Sequence, residues 1–242
     1  MSNEAQIINP SGSAKLKCLP TYLVLDTSAS MKNHADLLNE SLRSVHRAAY
    51  QNPRISEFAH MSIVSFNTDA HLALPMTDIR QVTKLPLVSC SGMTEYAKAF
   101  SLIRERIDVD ITALNAANRR VLRPVVFFMT DGAPSDGAKP GDPKVTPDHR
   151  VWRQALGRLI DPAWERRPHI ITFGFGQANT SVLGQVATLQ AFVAADRRNQ
   201  DESLRKVFAS LVATLAASAN SGGLRLPDQV DGFREVPLET IP

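Results

Sequence analysis

Apolar residues along this chain fall into two kinds of run, and the kinds alternate. "CLPTYLVLD" is a continuous apolar stretch, too short and too rich in β-formers for a helix, and it reads as a buried strand ending in Asp26. Leu38, Leu42, Val45 and Ala49 then recur at helical spacing, with Asn33 available as N-cap. "HMSIVSFN" and "AHLALPM" are the next two strands, and the turn residues Asn67 to Asp69 between them predict a hairpin. "SCSGMT" is a loop, after which Tyr96, Ala99, Ile103 and Ile107 open a second amphipathic helix running to about Ala117. "RPVVFFMTD" repeats the design of the first strand and again ends in aspartate, Asp131.

The stretch from Gly132 to Asp148 is too rich in Gly and Pro for regular structure. A helix follows around "HRVWRQALGRLI", then a strand "PHIITFGFG", a short helix through "SVLGQVATL" and a brief strand "AFVAA". Leu204, Val207, Phe208, Leu211, Val212 and Leu215 give the last helix one apolar face. From Asn220 onward there are Gly and Pro but no periodicity, and the polar N-terminus carries the loop signal "NPSGS". The expected organisation is a flexible arm over residues 1–17, one domain over 18–220 and a tail over 221–242.

Continuously apolar strands alternating with helices indicate an α/β fold: a doubly wound, mostly parallel sheet flanked by helices, with one antiparallel edge strand from the hairpin. Such sheets bind ligands at the carboxyl ends of their strands, where strand order reverses. Asp26 and Asp131 each stand at such an end.

Composition narrows the class. The 242 residues are 43% hydrophobic and 21% charged, as in an ordinary globular protein long enough for one substantial core. A formal charge of +3 is mildly basic, and Lys and Arg are scattered, so no nucleic-acid footprint is expected. Arg119, Arg120 and Arg123 read as the polar edge before a strand. Cys18 and Cys90 form no metal or redox pattern and suggest a reducing compartment. The N-terminus lacks the apolar core of a signal peptide, and no apolar run has the length to span a bilayer. The expectation is a soluble, cytoplasmic protein without membrane partners.

The chemistry concentrates in "DTSAS". Asp26, Ser28 and Ser30 occupy the turn between a buried strand and a helix, while Thr94 and Asp131 come from two other loops. Two carboxylates brought together repel unless a cation lies between them. Mg²⁺ takes oxygen ligands in octahedral geometry at about 2.0–2.1 Å and keeps some positions for water or a partner's oxygen. Hydroxyls at i and i+2 in an extended turn can both aim inward. The separate reading of each residue (serines capping a helix, aspartate ending a strand) leaves their convergence unexplained.

The segments "DTSAS", "SGMT" and "MTDG", in this order and on these elements, resemble the metal-ion-dependent adhesion site of von Willebrand factor A domains. The resemblance runs roughly from Leu19 to Asn220. Within that superfamily "LPTYLVLDTSASM" and "PVVFFMTDGAPSD" look most like the bacterial tellurium-resistance TerY-like group. It implies Mg²⁺ (or Mn²⁺) held by Asp26, Ser28, Ser30, Thr94 and Asp131, some directly and some through water. A partner protein's Asp or Glu would complete the sphere. Ala29 stands where glycine is common and "SGMT" replaces a Gly-Gly-Thr, without loss of a ligand oxygen, and Gly132 keeps a small residue beside the ion. By analogy the partners would be kinase or phosphatase proteins of bacterial stress systems, and the chain itself would not be an enzyme.

Two other functions compete. A Mg²⁺-dependent phosphoester hydrolase could use the same aspartates, but the sequence near Asp26 offers neither a general base nor a phosphate-clamping cation. A degenerate site kept as scaffold would leave binding to the 132–148 loop or the tail. "GFGQAN" reads as a tight strand-to-helix turn, the six histidines show no ligand spacing, and Cys90 reads as a structural thiol. Glu95 supports either the metal shell or the dipole of the following helix. The 132–148 loop sits at the rim of the expected metal face and is a candidate for partner contact.

Overall fold

The computed structural model describes residues 15–139, 146–196 and 198–241. Its sheet has eight strands: β1 (Lys17–Asp26), β2 (Ala59–Phe66), β3 (Ala70–Asp78), β4 (Arg120–Val121), β5 (Val125–Thr130), β6 (His169–Gly174), β7 (Gln190–Ala194) and β8 (Phe233–Val236). The order is β3-β2-β1-β5-β6-β7-β8, with β4 paired to the start of β1. β1 runs parallel to both β2 and β5, and β5, β6 and β7 continue parallel. Among the described residues the α-helices are α1 (Ala35–Gln51), α2 (Pro53–Phe58), α3 (Tyr96–Ala116), α4 (His149–Leu159), α5 (Thr180–Val186) and α6 (Gln200–Ser221).

Period-two alternation sends the central strands' side chains to two separate cores, which is why these strands read as continuously apolar. Leu19, Leu23 and Leu25 of β1, with Val125, Phe127 and Met129 of β5, pack under α1, α2 and α6. Tyr22, Val24, Val126 and Phe128 face the other way, onto α3 and α4. Trp152 of α4 is fully buried there, and Tyr96 packs edge-to-face on Phe128 with ring centroids 4.9 Å apart. That aromatic cluster fixes the first residue of α3 and so the entry of the loop that precedes it.

Three local features differ from expectation. The chain leaves β1 into a tight 3-10 turn over Ala29–His34, so α1 begins later; Asn33 lies inside the turn and does not cap the helix. α2 was not anticipated, although Asn52 caps it, accepting from the N–H groups of Arg54 (3.1 Å) and Ile55 (3.4 Å), and Pro53 occupies its first turn. The sheet has two antiparallel edges, not one: beside the β2–β3 hairpin, β8 returns from the tail to pair with β7. At four residues β8 is too short to show periodicity. Phe233 anchors it, edge-to-face on Phe173 at 5.8 Å.

Candidate metal centre

β1 and β5 are adjacent and parallel, and the chain passes from β1 to one side of the sheet and later to the other. The carboxyl ends of these two strands are therefore the point where strand order reverses. Asp26 closes β1 and Asp131 follows β5, so the topology brings together two aspartates more than a hundred positions apart in sequence. Both are 2% exposed.

The polar atoms form one chain. The Asp26 carboxylate accepts from the Ser28 N–H (2.9 Å) and from the Thr130 hydroxyl (2.6 Å). Ser28 Oγ lies 3.0 Å from Ser30 Oγ, which donates to Asp131 Oδ1 at 2.8 Å. Ser28 is buried while Ser30 is exposed, so the cluster opens to solvent at Ser30. Thr94, 8% exposed, stands in the loop before α3, and its hydroxyl bonds to no other described residue. A Cβ built on Gly132 would lie 3.6 Å from Thr94 Oγ1, an ordinary contact, so Thr94 and the Asp131 loop are close neighbours without being crowded.

Backbone bonds sew the three loops together. Ala29 N–H donates to Gly92 O (3.0 Å) and Ser91 N–H to Thr27 O (2.8 Å). Gly92 has φ +76°, and a Cβ there would fall 2.4 Å from Thr68 Oγ1. Glycine is required at that corner for both reasons.

The sequence reading missed the residues that hold Thr94. Ser135 Oγ accepts from the Thr94 N–H (2.8 Å), and Ser135 N–H donates back to Thr94 O (2.9 Å). Asp136, fully buried, accepts from Tyr96 N–H (3.0 Å) and Ala97 N–H (2.7 Å), capping α3 from a different loop. Glu95, which precedes α3, makes no side-chain cap bond. The dipole-facing carboxylate is thus Asp136, not Glu95. The first half of the 132–148 loop is bound to α3 by these contacts; residues 140–145 of that loop lie outside the described residues. Thr130 sits inside the quoted "MTDG" motif, and Ser135 and Asp136 end the quoted "PVVFFMTDGAPSD", but their partners lie some forty residues away, so nothing local shows what they bind.

Burial pushes Asp26 up to about 6, against the hydrogen bonds from Ser28 and Thr130, and the Asp131 charge adds to the rise. Burial likewise raises Asp131, against its bond from Ser30. Neither carboxylate pairs with a lysine or arginine among the described residues. Two buried carboxylates without a counter-charge, surrounded by hydroxyls, fit a hard divalent cation. Among the described residues no three His, Cys, Asp or Glu side chains gather into a metal cluster, so no nitrogen- or sulfur-rich alternative competes. Cys90 lies near the site as a buried thiol, raised to about 11 by burial and then by Asp26 and Asp131, which disfavours the thiolate form a nucleophile needs. "GFGQAN" is the expected turn: Gly176 has φ +55°, and Asn179 caps α5 by accepting from the Val182 N–H at 3.2 Å.

A scan of the sequence against protein-family models finds no match, and a search of curated proteins finds none either. Solved structures do match. Proximal thread matrix protein 1 from the mussel byssus aligns with a TM-score of 0.53 and 18% identity, over 84% of this chain and 49% of that one. A second structure of that protein, at 0.53 and 17%, has a zinc-occupied adhesion-site motif. The ArnB paralog VWA2 from Sulfolobus acidocaldarius aligns at 0.50 and 17%, over 80% of this chain and 46% of that one. The fold is that of a von Willebrand factor A domain. This chain spans about half the length of these relatives. No helix among the described residues is long and apolar enough to cross a membrane.

Proposed function

We propose that this protein is a metal-ion-dependent protein-binding module. Asp26, Ser28, Ser30, Thr94 and Asp131 hold Mg²⁺ or Mn²⁺, and a partner protein presents an Asp or Glu to the ion at the solvent-open side by Ser30. One observation carries the reading: two buried carboxylates meet at the switch point of the sheet, paired with no lysine or arginine among the described residues, among hydroxyls from separate loops. The ion supplies a positive centre to which an anionic oxygen can bind. The chain's own residues orient it: Thr130 and the Ser28 N–H fix the Asp26 carboxylate, and Ser135 and Asp136 fix the Thr94 loop. The zinc-occupied motif of the mussel protein supports occupancy of this position by a divalent ion.

In this reading the module is not an enzyme and has no nucleic-acid or membrane partner. Its setting is the bacterial cytoplasm, with partners among the kinase or phosphatase proteins of stress and tellurium-resistance systems. Affinity capture from lysate of the native organism tests it, comparing wild type and Asp26→Ala, each with Mg²⁺ and with EDTA. A protein retained by wild type with Mg²⁺ alone is the expected result. Identical captures in all conditions would remove the metal from binding. Turnover of a generic phosphoester that vanishes in Asp26→Asn would favour the hydrolase.

A further inference from the structure

Beside α1 runs an irregular extended segment, Val82 to Val88, that the function above does not use. We propose that the groove between them docks an extended acidic segment of a partner protein, anchored by an apolar side chain and bound independently of the metal. The groove encloses about 490 Å³ and shares no residue with the metal centre.

Two side chains of α1 build it. Asn39 exchanges a pair of hydrogen bonds with Val88, donating to its carbonyl and accepting from its N–H, both at 2.9 Å. His46 Nε2 donates to Val82 O at 2.9 Å. The segment is pinned at both ends and held alongside the helix. Between the pins, the backbone groups of Thr83 to Leu87 form no backbone hydrogen bond with a described residue. They leave backbone carbonyls, and the N–H groups of the residues other than Pro86, free to bond a partner's chain.

Charge selects the occupant. Arg43 and Arg47 stand one helical turn apart on the exposed face of α1, and Lys84 lies on the opposite wall. None of the three forms an ion pair with a described residue, whereas Arg80, Arg104, Arg106, Arg150, Arg166 and Lys206 all do. No Asp or Glu lines the groove. This is an uncompensated positive strip only one turn long, too small for a nucleic-acid footprint and suited to carboxylates on a short segment. Leu87 is 75% exposed and Tyr50 57% exposed at the same groove. A large apolar side chain left this open provides the surface on which an anchor residue buries. The structure thus matches an extended segment whose acidic residues flank an aliphatic or aromatic one.

Short random peptides displayed on phage and selected on the full chain in EDTA test the proposal. Enriched peptides are then measured by fluorescence anisotropy. The expected sequences are acidic with a central apolar residue. Their affinity falls with salt, falls roughly tenfold or more in Arg43→Glu/Arg47→Glu, falls further when Leu87→Ala is added, and is unchanged in Asp26→Ala. Circular dichroism melts confirm that the charge-reversed protein is folded, since both arginines are exposed. Enriched peptides that are neutral or basic, or that bind the charge-reversed protein equally well, overturn the proposal. So does a single-stranded oligonucleotide, or an anionic phosphatidylserine vesicle, that binds through Arg43 and Arg47 when no acidic peptide does.

Discussion

Asp26 makes the metal-free protein unusually sensitive to pH, and the sign follows from its environment. Its carboxyl ionises at about 6 in the folded chain against 3.8 as its ordinary value, chiefly because burial disfavours the charge. Below 3.8 both folded and unfolded chains carry the proton, and stability is complete. Between 3.8 and about 6 the folded chain keeps a proton that the unfolded chain has lost, so stability falls as pH rises. At about 1.4 kcal/mol per pH unit the loss comes to ~3 kcal/mol. This is a large share of the ~5–15 kcal/mol by which native proteins are stable.

Urea denaturation in EDTA measures it, with Asp26→Asn as the reference so that titrating groups away from the site cancel. Wild type should lose ~3 kcal/mol relative to Asp26→Asn between about pH 3 and pH 7. Mg²⁺ at about 100 times its dissociation constant should then return ~2.7 kcal/mol to wild type at the upper pH and nothing to the variant. A stability difference that stays flat across the pH range refutes the reasoning, because a desolvated carboxylate without a counter-charge must show this linkage.

Asp136→Ala leaves the Tyr96 and Ala97 N–H groups without their partner; a loss of roughly 2–4 kcal/mol is expected. Glu95→Ala should stay within about 0.5 kcal/mol, since it makes no cap bond. Equal urea midpoints for the two variants would contradict this assignment of the cap. Gly92→Ala should cost about 1–2 kcal/mol in backbone strain, plus the clash with Thr68. Adding Thr68→Ala should relieve the clash alone, and a wild-type melting temperature for the single variant would show that the corner is not constrained. Cys18 and Cys90, raised by burial to about 12 and about 11, should resist a thiol-specific disulfide reagent at mildly alkaline pH and react only after unfolding. A fast-reacting thiol in the native protein would count against their burial.

Much of this architecture was readable in one dimension because it depends on local pattern. The buried runs ending in Asp26 and Asp131 had to be covered on both faces, and the 3.6-residue periods from Tyr96 and through Leu204 to Leu215 marked the covering helices. "DTSAS" and "MTDG" announced oxygen donors at the ends of strands, and "SGMT" one in the loop before a helix. Where such signals were short or absent, the reading stopped. β8 has too few residues for a period and is a strand because β7 presents an open edge to it. Asn33 looked like a cap, but the 3-10 turn that places Ser30 displaced the start of the helix.

The sequence by itself determined which residues offer hard oxygen donors, since residue type and the motif around it are local properties. Only the tertiary structure decided how those residues are held. Parallel pairing of β1 with β5 places Asp26 beside Thr130 and Asp131, and the loop after β5 delivers Ser135 and Asp136 to Thr94 and α3. It also decided that Arg43, Arg47 and Lys84 share one acid-free groove, although the chain as a whole carries nearly balanced charge. Side-chain chemistry is written residue by residue, but burial, pKa and the company of distant charges arise only when the chain closes on itself.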